Sequence, residues 1–302
     1  MAQTLKYNIT RHCAFESPSE IKWSYFNVYF LTELRDLYLI CSNSNITGIP
    51  SLLNIYNQAD IKSDNGKDWN SRNLLELSNA LKKIGLISHN FSPLHGKLFS
   101  SLVGEPLSKE DKGVFRRIFY TYDRFNDFHK LFDSFNCITA CKKNKSRFYN
   151  TFIVGFDEAT EYFINERNSE IMRFWDVFLK WGTVLGVYDR CLFKSVALDC
   201  NLKGLGISWV YRTREIPENF SILEFATQAI GSNYISILDL TWLIIKKLFF
   251  SIDDIKDRIL KECYTSNAYS LQSTSAIFID EEEKRILPRI GTTYMSHLLR
   301  LS

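Results

Sequence analysis

The sequence predicts a mainly helical α+β protein, and three observations predict it. Amphipathic segments with apolar residues at helical spacing recur from end to end, LLELSNALKKI being the clearest. Twice such a segment runs into a glycine and then a short apolar stretch, in ALKKIGLIS (80–88) and in FLKWGTVLGVY (178–188). Apolar residues make up 45% and aromatics 15% of 302 positions, which excludes a disordered chain and leaves material for two or three small domains.

The first segment spans 1–104. KWSYFNVYFLTELRDLYLI (22–40) is apolar with sparse charges and reads as a helix. ITGIPSLLNIYNQA (46–59) reads as a second, with Pro50 at an early helical position and Leu52, Leu53 and Tyr56 on one face. KSDNGKD is a polar turn with an Asn-Gly step. In WNSRNLLELSNALKKI (69–84), Leu74, Leu77, Leu81 and Ile84 form one stripe at 3.6 residues per turn. Lys82 and Lys83 complement the dipole of the last turn, and Gly85 suits the left-handed residue that ends a helix. LIS (86–88) then starts a strand, with LFSSLV (98–103) as its returning partner across HNFSPLHGK.

The second segment, 105–215, opens with Ser108 as N-cap before Glu110 and Asp111, followed by one or two helices. KKNKSR is a basic turn, and helices ending in an apolar strand follow. The third segment, 216–302, holds a buried helix at 234–250, then a helix capped by Ser251 with Asp253 and Asp254 in its first turn. SAIFID, an EEEKR tip and RILPRIG read as a hairpin. The 234–250 run contains Asp239, Lys246 and Lys247 and is short for a bilayer span, so no membrane partner is expected. MAQTLKYNITRH lacks an apolar secretory core, and seven cysteines at scattered spacings read as reduced thiols, so a cytoplasmic location is expected.

Three helices followed by a two-stranded hairpin, with ALKKIGLI at the joint, resemble the winged-helix superfamily over about residues 25–103. Weaker echoes lie at 160–190 and 234–302, so tandem winged-helix-like units are the expected architecture. The resemblance implies that the exposed face of the third helix, with Arg72, Glu76, Asn79 and Lys83, enters the major groove of double-stranded DNA. There arginine reads guanine and asparagine reads adenine. The plainer reading of that face is a solvated one with an Arg72–Glu76 pair. Winged helices also dock proteins, so an adaptor in a larger complex is the alternative.

The net charge of +3 demands no nucleic-acid partner, so the electrostatic argument is local. Between Lys109 and Arg147 ten Lys or Arg stand against five acids, and Lys142, Lys143, Lys145 and Arg147 in one turn are the phosphate candidates. DNA is expected before RNA. Arg124 and His129 in RFNDFH fit the loose R-x4-H pattern of HEPN-type ribonucleases, whose Arg and His would serve the 2′-hydroxyl and scissile phosphate. Phe125 departs from the polar residue that family prefers after the Arg.

No metal or cofactor is expected. Cys137-x3-Cys141 has no second pair at zinc spacing, and Asp189, Asp199 and Lys203 are a loose match to a carboxylate nuclease. There is no phosphate-binding P-loop and no His-Glu-x-x-His. Binding rather than catalysis is therefore expected. Richness in Asn, Lys, Ile and Phe suggests an AT-rich bacterial or mobile-element source, where an anti-phage defence complex would be a fitting setting.

Overall fold

The computed structural model describes residues 26–134, 137–141, 151–154, 160–163, 169–193, 207–273 and 281–301. Helix outweighs strand, 51% to 14%, in a mixed α+β fold with small antiparallel sheets. The chain divides into two compact units, one centred on residues 26–134 and 169–185, the other on 186–302 with the strand residues 137–139.

In the first unit, α1 (Leu31–Asn43) starts later than the sequence suggests. Residues 26–30 are not helical, and their contacts lie with the helix Ser169–Val184 rather than with a helical turn of their own. The Trp181 indole N–H donates to the Val28 carbonyl at 3.0 Å. The Phe26 ring meets Phe174 edge-on at 5.2 Å and Trp181 at 5.6 Å. Helix α2 (Ile49–Gln58) carries Pro50 in its first turn and buries Leu52 and Tyr56. Helix α3 (Ser71–Lys83) buries Leu74, Leu77 and Leu81 against its neighbours. LFSSLV does not form the expected strand. Phe99 is buried instead, between Tyr38 at 5.4 Å and Phe115 at 5.1 Å, which draws the segment into the core as a strut.

Helix α4 (Lys109–Thr121) begins in a capping box: the Ser108 hydroxyl accepts the Asp111 amide at 3.0 Å, and the Asp111 carboxylate faces the Ser108 amide. Helix α5 (Asp123–Ser134) follows. Strand β1 (Cys137–Cys141) comes next, then a hairpin of β2 (Thr151–Val154) and β3 (Thr160–Phe163), then α6 (Ser169–Val184). Phe119, Phe125, Phe128, Phe174, Trp175 and Phe178 from α4, α5 and α6 form one aromatic core, with Phe125 and Phe174 stacked at 4.9 Å. The aromatic spacing of RFNDFHKLF thus serves packing.

A buried charge network ties α1 to the chain before α4. Arg35 is fully buried, and its Nε donates to Asp36 at 2.8 Å. Its other nitrogens reach the carbonyls of Glu105 and Pro106. Asp36 also accepts the Gly104 amide at 3.1 Å, and Asp111 lies 3.7 Å from Arg35. Burial alone would raise the Asp111 pKa, but hydrogen bonds from Ser101, Ser100 and Ser108 more than offset it and leave the carboxyl below its ordinary value.

In the second unit, β4 (Tyr188–Phe193) pairs antiparallel with β5 (Ile207–Arg212), and Cys137 and Ile138 at the start of β1 pair on the other edge of β5. Helix α7 (Ile222–Ile230) leads to β6 (Tyr234–Ser236), α8 (Ile237–Leu248), α9 (Ile252–Thr265) and β7 (Tyr269–Gln272). The expected single helix at 234–250 is therefore a strand followed by a helix, because Ser236 accepts the Asp239 amide and caps the helix there. Ser251 caps α9 as expected. EEEKR is not a hairpin tip but part of α10 (Glu281–Ile286), in line with the helix propensity of Glu and Lys. SAIFID, the other arm of that expected hairpin, lies outside the described residues. Strands β8 (Arg289–Ile290) and β9 (Thr293–Tyr294) form a small hairpin. Strand β10 (His297–Arg300) then inserts between β6 and β7, placing Leu298 opposite both Ile235 and Leu271.

Asp189 organises this unit. It accepts the Ile252 amide at 2.9 Å, where α9 begins, and pairs with Arg285. Replacing it should leave that buried amide without an acceptor. Asp189→Ala is expected to cost roughly 1–3 kcal/mol, read as a lower urea midpoint, with Asp189→Asn recovering part of the loss.

Candidate nucleic-acid interface

The third helix and the turn behind it are built by local chemistry. Asn70 caps α3, its Oδ1 accepting the Asn73 amide at 2.9 Å. The leucine stripe faces the core, which leaves Arg72, Asn73, Leu75, Glu76 and Asn79 exposed. Arg72 Nε lies 3.8 Å from Glu76 Oε1, and the Arg72 side chain is 87% exposed, so the pair is loose and screened. Lys83, on the last turn, is half-buried.

The helix ends in a Schellman motif. Gly85 has φ +75°, the Leu86 amide donates to the Leu81 carbonyl at 2.9 Å, and the Gly85 amide donates to the Lys82 carbonyl at 3.1 Å. A Cβ at Gly85 would meet open space, so the cost of a side chain there is conformational. Gly85→Ala is expected to lose about 1–2 kcal/mol of stability without a packing clash, measurable as a shift in the thermal midpoint.

Beyond Gly85 the chain makes a tight hairpin. The Leu94 amide donates to the Leu86 carbonyl at 3.0 Å, the Ser88 amide to the Ser92 carbonyl at 2.8 Å, and Ile87 bridges Pro93. The return arm is thus Pro93–Leu94, not 98–103. Phe91 turns the tip at φ +62°, an unusual conformation for a non-glycine residue. Its ring is buried under the Lys82 ammonium, 4.2 Å from the ring centroid, which offsets that strain. Burial lowers the Lys82 pKa below its ordinary value. The His95 ring lies 3.0 Å from the Gly85 carbonyl and ties the hairpin to the end of the helix.

Helix and hairpin together carry a local charge bias. Across residues 71–104 stand Arg72, Lys82, Lys83 and Lys97 against the single acid Glu76. In the second unit the exposed residues of α9 include Asp253, Asp254 and Asp257, with Lys261. Phe91 joins α3 only through the short hairpin, so no local pattern in the sequence marks it as a companion of Lys82.

The remaining candidates fall elsewhere. Lys142, Lys143, Lys145 and Arg147 lie outside the described residues. Arg116, from the same basic run, donates its Nε–H to the Leu185 carbonyl at 2.8 Å. The backbone of Arg124 belongs to α5, and its side chain lies outside what the structure describes. His129 is 6% exposed, its Nε2 is 2.9 Å from the Phe119 carbonyl, and its ring packs on Phe119, Tyr120 and Phe178. That environment gives His129 a packing role and little access for an RNA phosphate.

Cys41, Cys137 and Cys191 are buried free thiols, and burial pushes the Cys41 and Cys263 thiols up to about 11. Among the described residues no cluster of His, Cys, Asp or Glu is arranged to hold a metal ion, and no helix is long and apolar enough to cross a membrane. Compared with known protein families, with curated proteins and with solved structures, the chain finds no match.

Proposed function

We propose that the chain is a nucleic-acid-binding subunit or regulator, with double-stranded DNA as its ligand, and that α3 and the 86–94 hairpin form its reading head. The observation that carries this is the capped helix, exposed along Arg72 and Asn79, backed by a hairpin in a stretch with four basic residues and one acid. Lys82, whose ammonium lies over the Phe91 ring, carries positive charge from the helix to the hairpin tip. A winged-helix reading of the second unit is supported by its order. Helix α7, strand β6, helices α8 and α9 and strand β7 are followed, after α10 and a small hairpin, by a last strand that lies between β6 and β7.

The second reading is a protein-docking role for the second unit. The acids of α9 disfavour phosphate, and Tyr264 on the same helix is 70% exposed. One chain would then hold DNA with one unit and a protein with the other.

The test is fluorescence anisotropy with a labelled duplex of about 30 base pairs, titrated at several salt concentrations. Each phosphate contact contributes about −0.9 to the slope of log K against log salt. A steep negative slope supports the reading, and absence of binding at low salt removes it in favour of protein docking.

A further inference from the structure

The outward face of α4 gathers cations. Lys109, Arg116 and Arg117 are exposed and Lys112 is half-buried. At 100° per residue Lys109, Lys112 and Arg116 share one face with Tyr120, and Arg117 borders it. The stripe from Lys109 to Arg116 is about 10 Å long, at about 1.5 Å per residue. Gly113 lies within it, and a Cβ there would meet open space, so the stripe has a shallow centre. This placement works against the helix. Lys109 and Lys112 lie in the first turn, where the dipole disfavours cations, and Lys109–Lys112 and Lys112–Arg116 are like-charge pairs at i,i+3 and i,i+4. Among the described residues neither lysine nor Arg117 has a carboxylate partner. The acids nearby are Glu110, on the Arg117 edge, Asp123, beyond the end of the helix, and Asp111, which is buried and committed to Ser100, Ser101 and Ser108.

Tyr120 closes the stripe. Its ring is 45% exposed and stacks at 5.1 Å on the ring of His129, itself buried with Nε2 2.9 Å from the Phe119 carbonyl. One face of the tyrosine ring is held and the other is left to solvent. We propose that this face of α4 binds a single-stranded nucleic acid, with Lys109, Lys112 and Arg116 on its phosphates and Tyr120 stacked on an unpaired base. Arg116 is oriented for this by its Nε–H bond to the Leu185 carbonyl. A duplex offers no unpaired base, so this ligand differs from that of α3, and the assignment stands whether or not α3 reads DNA.

The probe is a labelled oligothymidylate of about 15 nucleotides, with an oligouridylate and a base-free deoxyribose-phosphate chain of the same length beside it. Each is titrated into the full chain by anisotropy at several salt concentrations. Saturable binding of a base-bearing strand, at least about tenfold tighter than of the base-free chain, is expected, and the stronger of the two strands identifies DNA or RNA as the ligand. Lys109→Glu with Lys112→Glu should weaken that strand at least about tenfold and flatten the salt slope by about 0.7 for each phosphate released. Acids in the first turn suit the helix dipole, so this variant keeps its helix. Tyr120→Ala should weaken the strand about tenfold with the slope intact, and Tyr120→Phe should bind as the wild type does. No saturable binding at low salt, an unchanged double variant, full affinity in Tyr120→Ala, or equal affinity for the base-free chain overturns the site. Arg72→Glu with Lys83→Glu on α3 should leave strand binding unchanged, and loss of the strand there overturns the assignment to α4. If the strand binds and the duplex does not, the reading of α3 falls and this site stands.

Discussion

Arg35→Met should cost the chain about 3–5 kcal/mol of stability, read as a large fall in the urea midpoint by circular dichroism. The reason is the set of groups the guanidinium serves. Arg35 is 0% exposed and donates to Asp36 and to the carbonyls of Glu105 and Pro106, while Asp111 lies 3.7 Å away. Methionine fills much of the volume and returns none of those bonds. Two buried carboxylates then lose their cation, and leaving charges unpaired costs more than the intact pair gains. Arg35→Lys should recover part of the loss, since one ammonium cannot reproduce a planar fork.

A pH dependence follows with a definite sign. Burial already holds the Asp36 pKa above its ordinary value, with the Arg35 hydrogen bond and charge opposing the rise. Removing Arg35 raises it further. A carboxyl whose folded pKa exceeds its unfolded one binds its proton more tightly when folded, so its penalty appears as pH rises. The deficit of Arg35→Met should therefore be larger at pH 8 than near pH 5. Asp36→Asn added to Arg35→Met should flatten the difference. A deficit below about 1 kcal/mol at every pH would show that the network is dispensable.

Much of the helical framework is legible in the sequence because its determinants are local. Leu74, Leu77 and Leu81 recur at helical spacing, Gly85 ends the helix, and Ser108 and Ser251 cap where a capping residue precedes an acidic first turn. What escapes depends on distant partners. Nothing within LFSSLV tells that Phe99 is drawn between Tyr38 and Phe115 while Ser100 and Ser101 bond Asp111. The short strand Tyr234–Ser236 hides inside a continuous apolar run, since periodicity cannot separate strand from buried helix there. EEEKR differs in kind: its charge suggests an exposed tip, its propensity favours helix, and propensity prevails. For the site, the helical wheel places Arg72 and Asn79 outward, and both are exposed.

Charge reversal on α3 and on α9 should give opposite results, and this is the second large effect. Arg72→Glu with Lys83→Glu should weaken duplex binding by one to two orders of magnitude near 0.1 M salt. It should also flatten the salt slope by about 0.9 for each phosphate no longer neutralised. The double variant puts three acids on a helix that has only Glu76 now, and the dipole gives no compensation at Lys83, near its C-terminal end. Asp253→Lys with Asp254→Lys on α9 should leave the wild-type slope unchanged or steepen it. Those acids lie in the first turn of α9, where they favour the helix dipole, so this variant loses a little stability and keeps its hold on DNA. Asn79→Ala tests reading rather than holding: it should leave the salt slope intact and reduce discrimination between duplex sequences by about 1–3 kcal/mol at one base pair. If both charge-reversed variants bind as the wild type does, the backbone is held elsewhere, and the basic residues Lys142, Lys143, Lys145 and Arg147 are the next to reverse. If the α9 variant alone loses binding, the second unit is the one that meets DNA and the charge argument for α3 is wrong.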